Sequence, residues 1–294
     1  MPAALKEVRN RIKSVQSTQQ ITKAMKMVSA AKLRRAQEAI LQMRPYAKKL
    51  QEMLSNIVSN TDGDISADLS VQRPVNNVLI IAITSDRGLC GAYNANVIKL
   101  TKALAQEKYP AQLEKGKVTV WPIGKKAFEA MQKFAVINNP VYKDVLQALS
   151  FESVQEVAQG AIEAFSKNEF DVVEIVYSEF RNAATQSFVV ERFLPIPKVE
   201  NKDGKSTKAD FIFEPDQETL IAELMPKILN TQLYKAVLDA NASEHGARMT
   251  AMDKASENAN ELLKDLRISY NRARQAAITT ELTEIVSGAA ALQG

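Results

Sequence analysis

No glycine occurs before Gly63, and no proline lies between Ala3 and Arg44. A stretch so long without a helix breaker, filled with Ala, Lys, Arg, Gln and Met, has one simple fold, a long α-helix. Its apolar residues begin as a heptad at Leu5, Val8, Ile12 and Val15. The seam turns polar at QSTQQ (16–20) and restarts one residue out of phase with Ile21, Met25 and Val28. It shifts again to Ala36, Ile40, Met43, Ala47, Leu50, Leu54 and Ile57. The expectation is a coiled-coil helix over residues 1–60, bent near Pro45. At 1.5 Å per residue it would span roughly 90 Å, more than a compact domain can bury.

The other end of the chain mirrors the first. No proline follows Pro226, and only Gly246 and Gly288 precede the terminal Gly294. Ala247, Ala251, Ala255 and Ala259 form a row at spacing four that lets a partner helix approach closely. Ile278, Leu282, Ile285, Ala289 and Leu292 then make an apolar stripe. Residues 210–294 read as a second coiled-coil segment, its helix running from Asp216 to Gln293, roughly 115 Å. Two such helices, one at each end, pair most simply as an antiparallel coiled coil.

Between them the sequence changes character. VLIIAIT (78–84), KVTVWPIG (117–124), DVVEIVYSEF (171–180) and QSFVVERFLPI (186–196) have the β-branched content of strands. Helical stretches near 92–107, 125–134 and 151–167 alternate with the first three, which predicts βαβ units. RNAAT would close a hairpin between the last two strands, and NKDGKSTK (201–208) a surface loop. The predicted fold class is α/β: a Rossmann-like sheet domain over 75–200, inserted between the halves of a long antiparallel coil.

Charge and composition narrow the function. The net charge of +4 is unevenly spread: residues 1–50 hold +10 and the remainder −6. A basic terminal segment suits an acidic partner, a nucleic acid or an anionic membrane surface, or is simply a solvated helix face. One cysteine, Cys90, excludes an internal disulfide and a multi-cysteine metal site, and one histidine, His245, leaves few ligands for zinc. No catalytic residue, cofactor site or metal site is assigned. No run reaches the roughly 18 apolar residues of a membrane span. The start MPAALKEV shows neither a secretory signal nor a transit peptide, so an intracellular chain is expected.

The stretch SDRGLCGAYNAN (85–96) follows the first strand, where phosphate loops occur. A Walker loop needs Lys and Ser/Thr after its second glycine, but Gly91 is followed by Ala92, Tyr93 and Asn94. Nor does GLCGAYN match the dinucleotide fingerprint, and Gly124 before Lys125 and Lys126 is a lone glycine. A tight turn in which glycine permits positive φ, stapled by an Asp86–Arg87 ion pair, is the simpler reading. Cys90 would be a small packed side chain. The rival is a nucleotide-binding α/β enzyme whose helices form a dimerisation arm; it requires the chain alone to bind ATP. A nucleic-acid binder is disfavoured because residues 1–45 lack stacking aromatics, with only Tyr46 nearby.

Three blocks together carry a family resemblance. They are IKSVQSTQQITKAMKMVSAAKLRRAQ (12–37), ITSDRGLCGAYNAN (83–96) and YNRARQAAITTELTEIVSGAAAL (270–292), supported by SEHGARMTAMDKASENANELL (243–263). In order and spread they resemble the gamma subunits of F-type ATP synthases, although GLCGA stands where that family more often has GLCGG. The resemblance implies a rotor shaft with no catalytic residue of its own, standing inside a ring of alpha and beta subunits. Its globular part would sit below that ring against epsilon and the membrane c-ring. Neither nucleic acid nor direct membrane insertion would be involved, and the place would be the cytoplasmic face of the bacterial inner membrane, as a peripheral subunit.

Residue by residue, the resemblance places Lys23, Met25 and Lys26 in the beta-facing stretch of the first helix. It gives Arg274 and Gln275 hydrogen bonds to a loop of beta, and couples Arg248, Thr279, Glu281 and Glu284 to the Met25 stretch. Glu281 and Glu284 read equally as solvated helix acids. Phe211 and Glu214 fall where the family meets epsilon and the c-ring. Chloroplast members carry an added cysteine pair as a thiol switch, which the solitary Cys90 excludes.

Overall fold

The computed structural model describes residues 3–59, 69, 71–137, 139–183, 185–196 and 217–293. Helix α1 (Ala3–Ser59) continues through Pro45, and the last helix (Gln217–Gln293) continues through Pro226. The chain divides into two compact units, one of Met1–Ser29 with Met249–Gly294 and one of Ala30–Arg248.

The first unit is an antiparallel helix pair. Its partners are Arg9 with Tyr270, Gln19 with Asn260, Thr22 with Ser256 and Lys26 with Asp253. As the number climbs along one helix it falls along the other, as the two apolar ends of the sequence predict. The early heptad is inward, with Leu5 buried and Val8, Ile12 and Val15 half-buried, opposite a row that buries Ala259, Leu263 and Leu266. The predicted restart through Ile21 and Val28 is corrected: both lie outside, at 56% and 57% exposure. Thr22 and Ser29 are buried in their place, because a Thr22–Ser256 hydrogen bond of 2.7 Å lets hydroxyls fill the seam. The stripe Ile278, Leu282 and Ile285 is exposed. In the same register Ala3 falls opposite the region of Ala276, so the final turns, roughly 25 Å of helix, have no partner helix among the described residues.

The second unit is built on a sheet of order β2-β1-β3-β4. Strands β1 (Val78–Ile83), β2 (Val118–Ile123) and β3 (Val172–Phe180) are parallel, and β4 (Gln186–Leu194) returns antiparallel to β3 as a hairpin. The central strand shows why its sequence is a continuous aliphatic run. Leu79, Ile81 and Ile83 join one core with α5 (Phe151–Ser166) and with Met225, Leu229 and Leu233 of the last helix. Val78, Ile80 and Ala82 join a second core with α2 (Tyr93–Lys108) and α4 (Lys125–Met131). A strand buried on both faces has no polar alternation.

Two elements were not anticipated from the sequence. A short α3 (Pro110–Glu114) leads into β2, and a 3-10 segment (Pro140–Ala148) precedes α5. Helix α4 stops three residues before the predicted end. The chain then lies along β2, where Val136 exchanges hydrogen bonds with Val118 and Val120 and covers that edge. The remainder of α1 buries Ala36, Ile40 and Leu50, as the third register predicts, and also Leu33, which that register omits. The last helix is α6.

Gly124, at the junction of β2 and α4, has φ +95, and a Cβ there would lie 2.5 Å from the Thr84 carbonyl oxygen. Backbone, unlike a flexible side chain, cannot give way. Gly124→Ala should therefore lower stability by about 2–4 kcal/mol, from left-handed strain plus the clash. Urea unfolding of the full chain measures it, and an unchanged midpoint would overturn this account of the junction.

Candidate functional site

The backbone N–H groups at the C-terminal edge of the sheet bear on nucleotide binding at the start of α4. A ligand loop needs the free donors of a helix N-terminus. At α4 they are already taken. The Lys125 N–H donates to Asp86 Oδ1 at 3.2 Å, the Lys126 N–H to the Ser85 carbonyl at 3.2 Å and the Ala127 N–H to Thr84 Oγ1 at 2.7 Å. The expected Asp86–Arg87 pair is thus corrected: Asp86 caps a helix, where its charge is favoured by the dipole.

The glycine turn is likewise closed by protein groups, and by donors rather than for donors. Ser85 Oγ donates to the Arg87 carbonyl at 2.7 Å, and the Ser85 N–H donates to Asn94 Oδ1 at 3.0 Å. The Asn94 amide in turn donates to Cys90 Sγ at 3.2 Å, so the buried cysteine is the packed side chain expected. Left-handed φ occurs at Gly91 (59°) but also at Leu89 (63°), not at Gly88. Carbonyls 87 and 88 converge on a cation: Arg248 donates to them at 2.9 and 3.2 Å. A loop that turns its oxygens toward a guanidinium is the electrostatic opposite of a phosphate cradle.

Arg248 is itself buried and pairs with Glu244 one turn earlier on α6. Burial pushes the Glu244 carboxyl above its ordinary range, with the adjacent Arg248 opposing that shift. His245 sits against the same guanidinium, 3.5 Å from Nδ1. Burial, then Arg248 and Lys32, hold its pKa down to about 4. The histidine is therefore neutral and able to accept from its cationic neighbour.

In the helix pair, Lys26 donates to Asp253 at 2.5 Å, Met25 is half-buried and Lys23 is exposed. Arg274, Gln275, Thr279, Glu281 and Glu284 are all exposed on the end of α6. Thr279 Oγ1 donates to the Gln275 carbonyl one turn back. The structure does not bring Thr279, Glu281 or Glu284 to Met25, since the residues opposite Lys26 are near Asp253, roughly 30 Å of helix away from Arg274. Arg248 lies in the other unit, on the glycine turn. Phe211 and Glu214 lie outside the described residues. Thr84, Asn94 and Glu244 were missed as working residues, because capping and buried pairing depend on contacts distant in sequence. Among the described residues no helix is long and apolar enough to cross a membrane, and no cluster of His, Cys, Asp and Glu could hold a metal.

Against this geometry stand the chain's relatives. The family model described as ATP synthase matches residues 4–292. The ATP synthase gamma chain of Cytophaga hutchinsonii is 50% identical over 294 residues, covering 99% of each chain. That of Flavobacterium psychrophilum is 51% identical, covering 99% of this chain and 100% of its own. In fold, the chain resembles one in the cryo-EM structure of the Euglena gracilis mitochondrial ATP synthase, OSCP/F1/c-ring, in rotational state 3. The TM-score is 0.67 at 22% identity, over 99% of this chain and 95% of the other.

The neutral His245 makes stability depend on pH in a defined direction. Its folded pKa lies below the unfolded value near 6.5, so the unfolded chain binds the extra proton. The favourable contribution is complete above pH 6.5 and is lost as pH falls toward 4. Replacing it, His245→Gln, should lower Tm at pH 7.5 but lessen the fall between pH 6.5 and 4.5. Parallel Tm curves for the two proteins would contradict the assignment.

Proposed function

We propose a non-catalytic shaft for this chain, which belongs to the ATP synthase gamma-chain family. It is the central rotor subunit, transmitting rotation between the membrane c-ring and the alpha/beta hexamer and so coupling proton flow to ATP synthesis or hydrolysis. The observation that carries this is the family match across the full described length, from residue 4 to 292. Its partners are the alpha and beta subunits, epsilon and the c-ring. It would lie at the cytoplasmic face of the bacterial inner membrane, held there through the complex. Nucleotide chemistry would belong to the beta subunits, a reading supported by a glycine turn whose carbonyls 87 and 88 face the Arg248 guanidinium.

The helix pair suits such work physically. A shaft in a sleeve must resist twisting without interlocking with the wall. Cross-helix bonds through Thr22–Ser256 and Lys26–Asp253 tie the two helices against sliding. Charges on the outside attract the sleeve with a force that varies gently with angle, unlike apolar knobs that fit one orientation. On this reading Lys23, Met25 and Lys26 face beta, and Arg274 and Gln275, exposed just before the unpartnered end of α6, bond a beta loop. Arg248, Thr279, Glu281 and Glu284 tune that contact, Arg248 through the turn it holds. Phe211 and Glu214 are assigned to epsilon and the c-ring on the sequence alone.

Reconstitution with alpha and beta subunits should give an ATPase that depends on this chain, whereas equal activity without it would overturn the role. Arg274→Ala, on an exposed side chain, should reduce rotation-coupled hydrolysis on the order of tenfold, the equivalent of one charge-assisted hydrogen bond. Nucleotide affinity in isolated beta subunits should not change. Intact coupling would remove Arg274 from the beta contact.

A further inference from the structure

The sheet of the second unit carries a cleft far from the glycine turn, at the opposite end of its parallel strands. It has a volume of about 670 Å3 and lies between Leu104 and Lys108 of α2, Val172 and Glu174 of β3, and Val190 and Arg192 of β4. That size suits a small organic ligand.

The cleft has more donors than its own acceptors use. One oxygen of the buried Glu174 carboxylate receives Lys108 Nζ at 2.6 Å, the Tyr109 hydroxyl at 2.6 Å and Arg192 at 3.2 Å. Tyr109 stays a donor, because burial and then its bond to Glu174 raise its pKa well above the usual value. A lysine has three N–H groups and an arginine five, so most of theirs are not spent on that oxygen. Both side chains remain open to solvent, Lys108 at 49% and Arg192 at 33%. A third cation, Arg73, also lines the cleft, held over the Phe165 ring. The other carboxylate, Asp171, is turned to the backbone N–H groups of Asn76 and Asn77 at 2.8 and 2.9 Å. Three cations thus line the cleft with two carboxylates, and Arg73 spends one donor on the Phe165 carbonyl at 3.1 Å. Beside them Leu104, Val172 and the exposed Val190 give an apolar floor.

We propose that this cleft binds a small amphiphilic anion, its oxyanion held by Lys108 and Arg192 and its apolar body lying on Val190 and Leu104.

Fluorescence titration of the full chain with 1-anilinonaphthalene-8-sulfonate provides the probe, with octanoate and inorganic phosphate as separate competitors. Octanoate should displace the dye, and phosphate should displace it at least about tenfold less well. Val190→Glu places a carboxylate on an already exposed position and should weaken dye binding about tenfold or more, with Tm unchanged. Lys108→Gln should weaken it by a similar factor, and Glu174→Gln, by removing the competing carboxylate, should tighten it severalfold. Equal affinity in Val190→Glu and the parent chain would overturn the proposal whether or not the Glu174 variant folds. So would displacement by phosphate but not by octanoate.

Discussion

A buried hydroxyl pair, Thr22 with Ser256, holds the seam where a coiled coil ordinarily carries apolar knobs. Once the first thirty residues are committed to an antiparallel partner near the end of the chain, everything between them is topologically an insertion. The sheet can then be as independent as its own two cores make it. A polar seam has a cost, since each hydroxyl must keep its partner or remain unsatisfied in a dry interface. Thr22 and Ser256 meet that requirement with two protons: one hydroxyl donates across the seam, and the hydroxyl that accepts there donates to a carbonyl of its own helix, Gln19 for Thr22 or Met252 for Ser256. Hydrogen bonds have short reach and defined direction, so a slip of register breaks several at once. Apolar knobs would forgive it.

The second unit solves a different problem, how to fasten the end of its central strand to the start of α4. In many α/β sheets the crevice there is where ligands bind. Here Thr84, Ser85 and Asp86, three consecutive residues after β1, each supply one acceptor to the start of α4. The next residues, Arg87 and Gly88, supply carbonyls to Arg248. A loop of five residues therefore fastens one helix by its N-terminus and another by a buried side chain. Leu89 tolerates a left-handed backbone because the neighbouring carbonyls on its N-terminal side are fixed in this way.

How much of this was legible in the sequence follows from the range of the forces involved. The four strands and the two end helices rest on local composition and periodicity, and VLIIAI needed nothing else to be read as buried on both faces. The Thr22 and Ser29 seam was misread because pattern reasoning assigns inward positions to apolar residues. Ile21 and Val28 are apolar, yet they point outward, and only the hydroxyl opposite, more than two hundred residues away, decides it. Asp86 was paired with its sequence neighbour for the same reason, whereas its acceptor role belongs to the junction at Gly124. Glu174 was hidden inside a strand motif, DVVEIV, with nothing local to mark the three donors it gathers. Of the candidate contact residues, exposure and pairing of Lys23, Lys26 and Arg274 are visible in the fold, while their roles rest on family likeness.

Arg248 shows how a motif can mislead about chemistry and still mark something essential to the fold. The GLCG stretch has the outline of an anion loop because glycine and a helix start coincide there. Yet the charge that its carbonyls receive, from Arg248, is positive, and it arrives from α6 with its own counter-charge, Glu244, one helical turn away. Removing the guanidinium would leave two turn carbonyls and a buried carboxyl without their donor, a large cost in a low-dielectric setting. Supplying an anion instead would add repulsion to that loss. The electrostatics of the turn therefore require a cation at that point, and they assign the loop to fastening α6 onto the sheet unit.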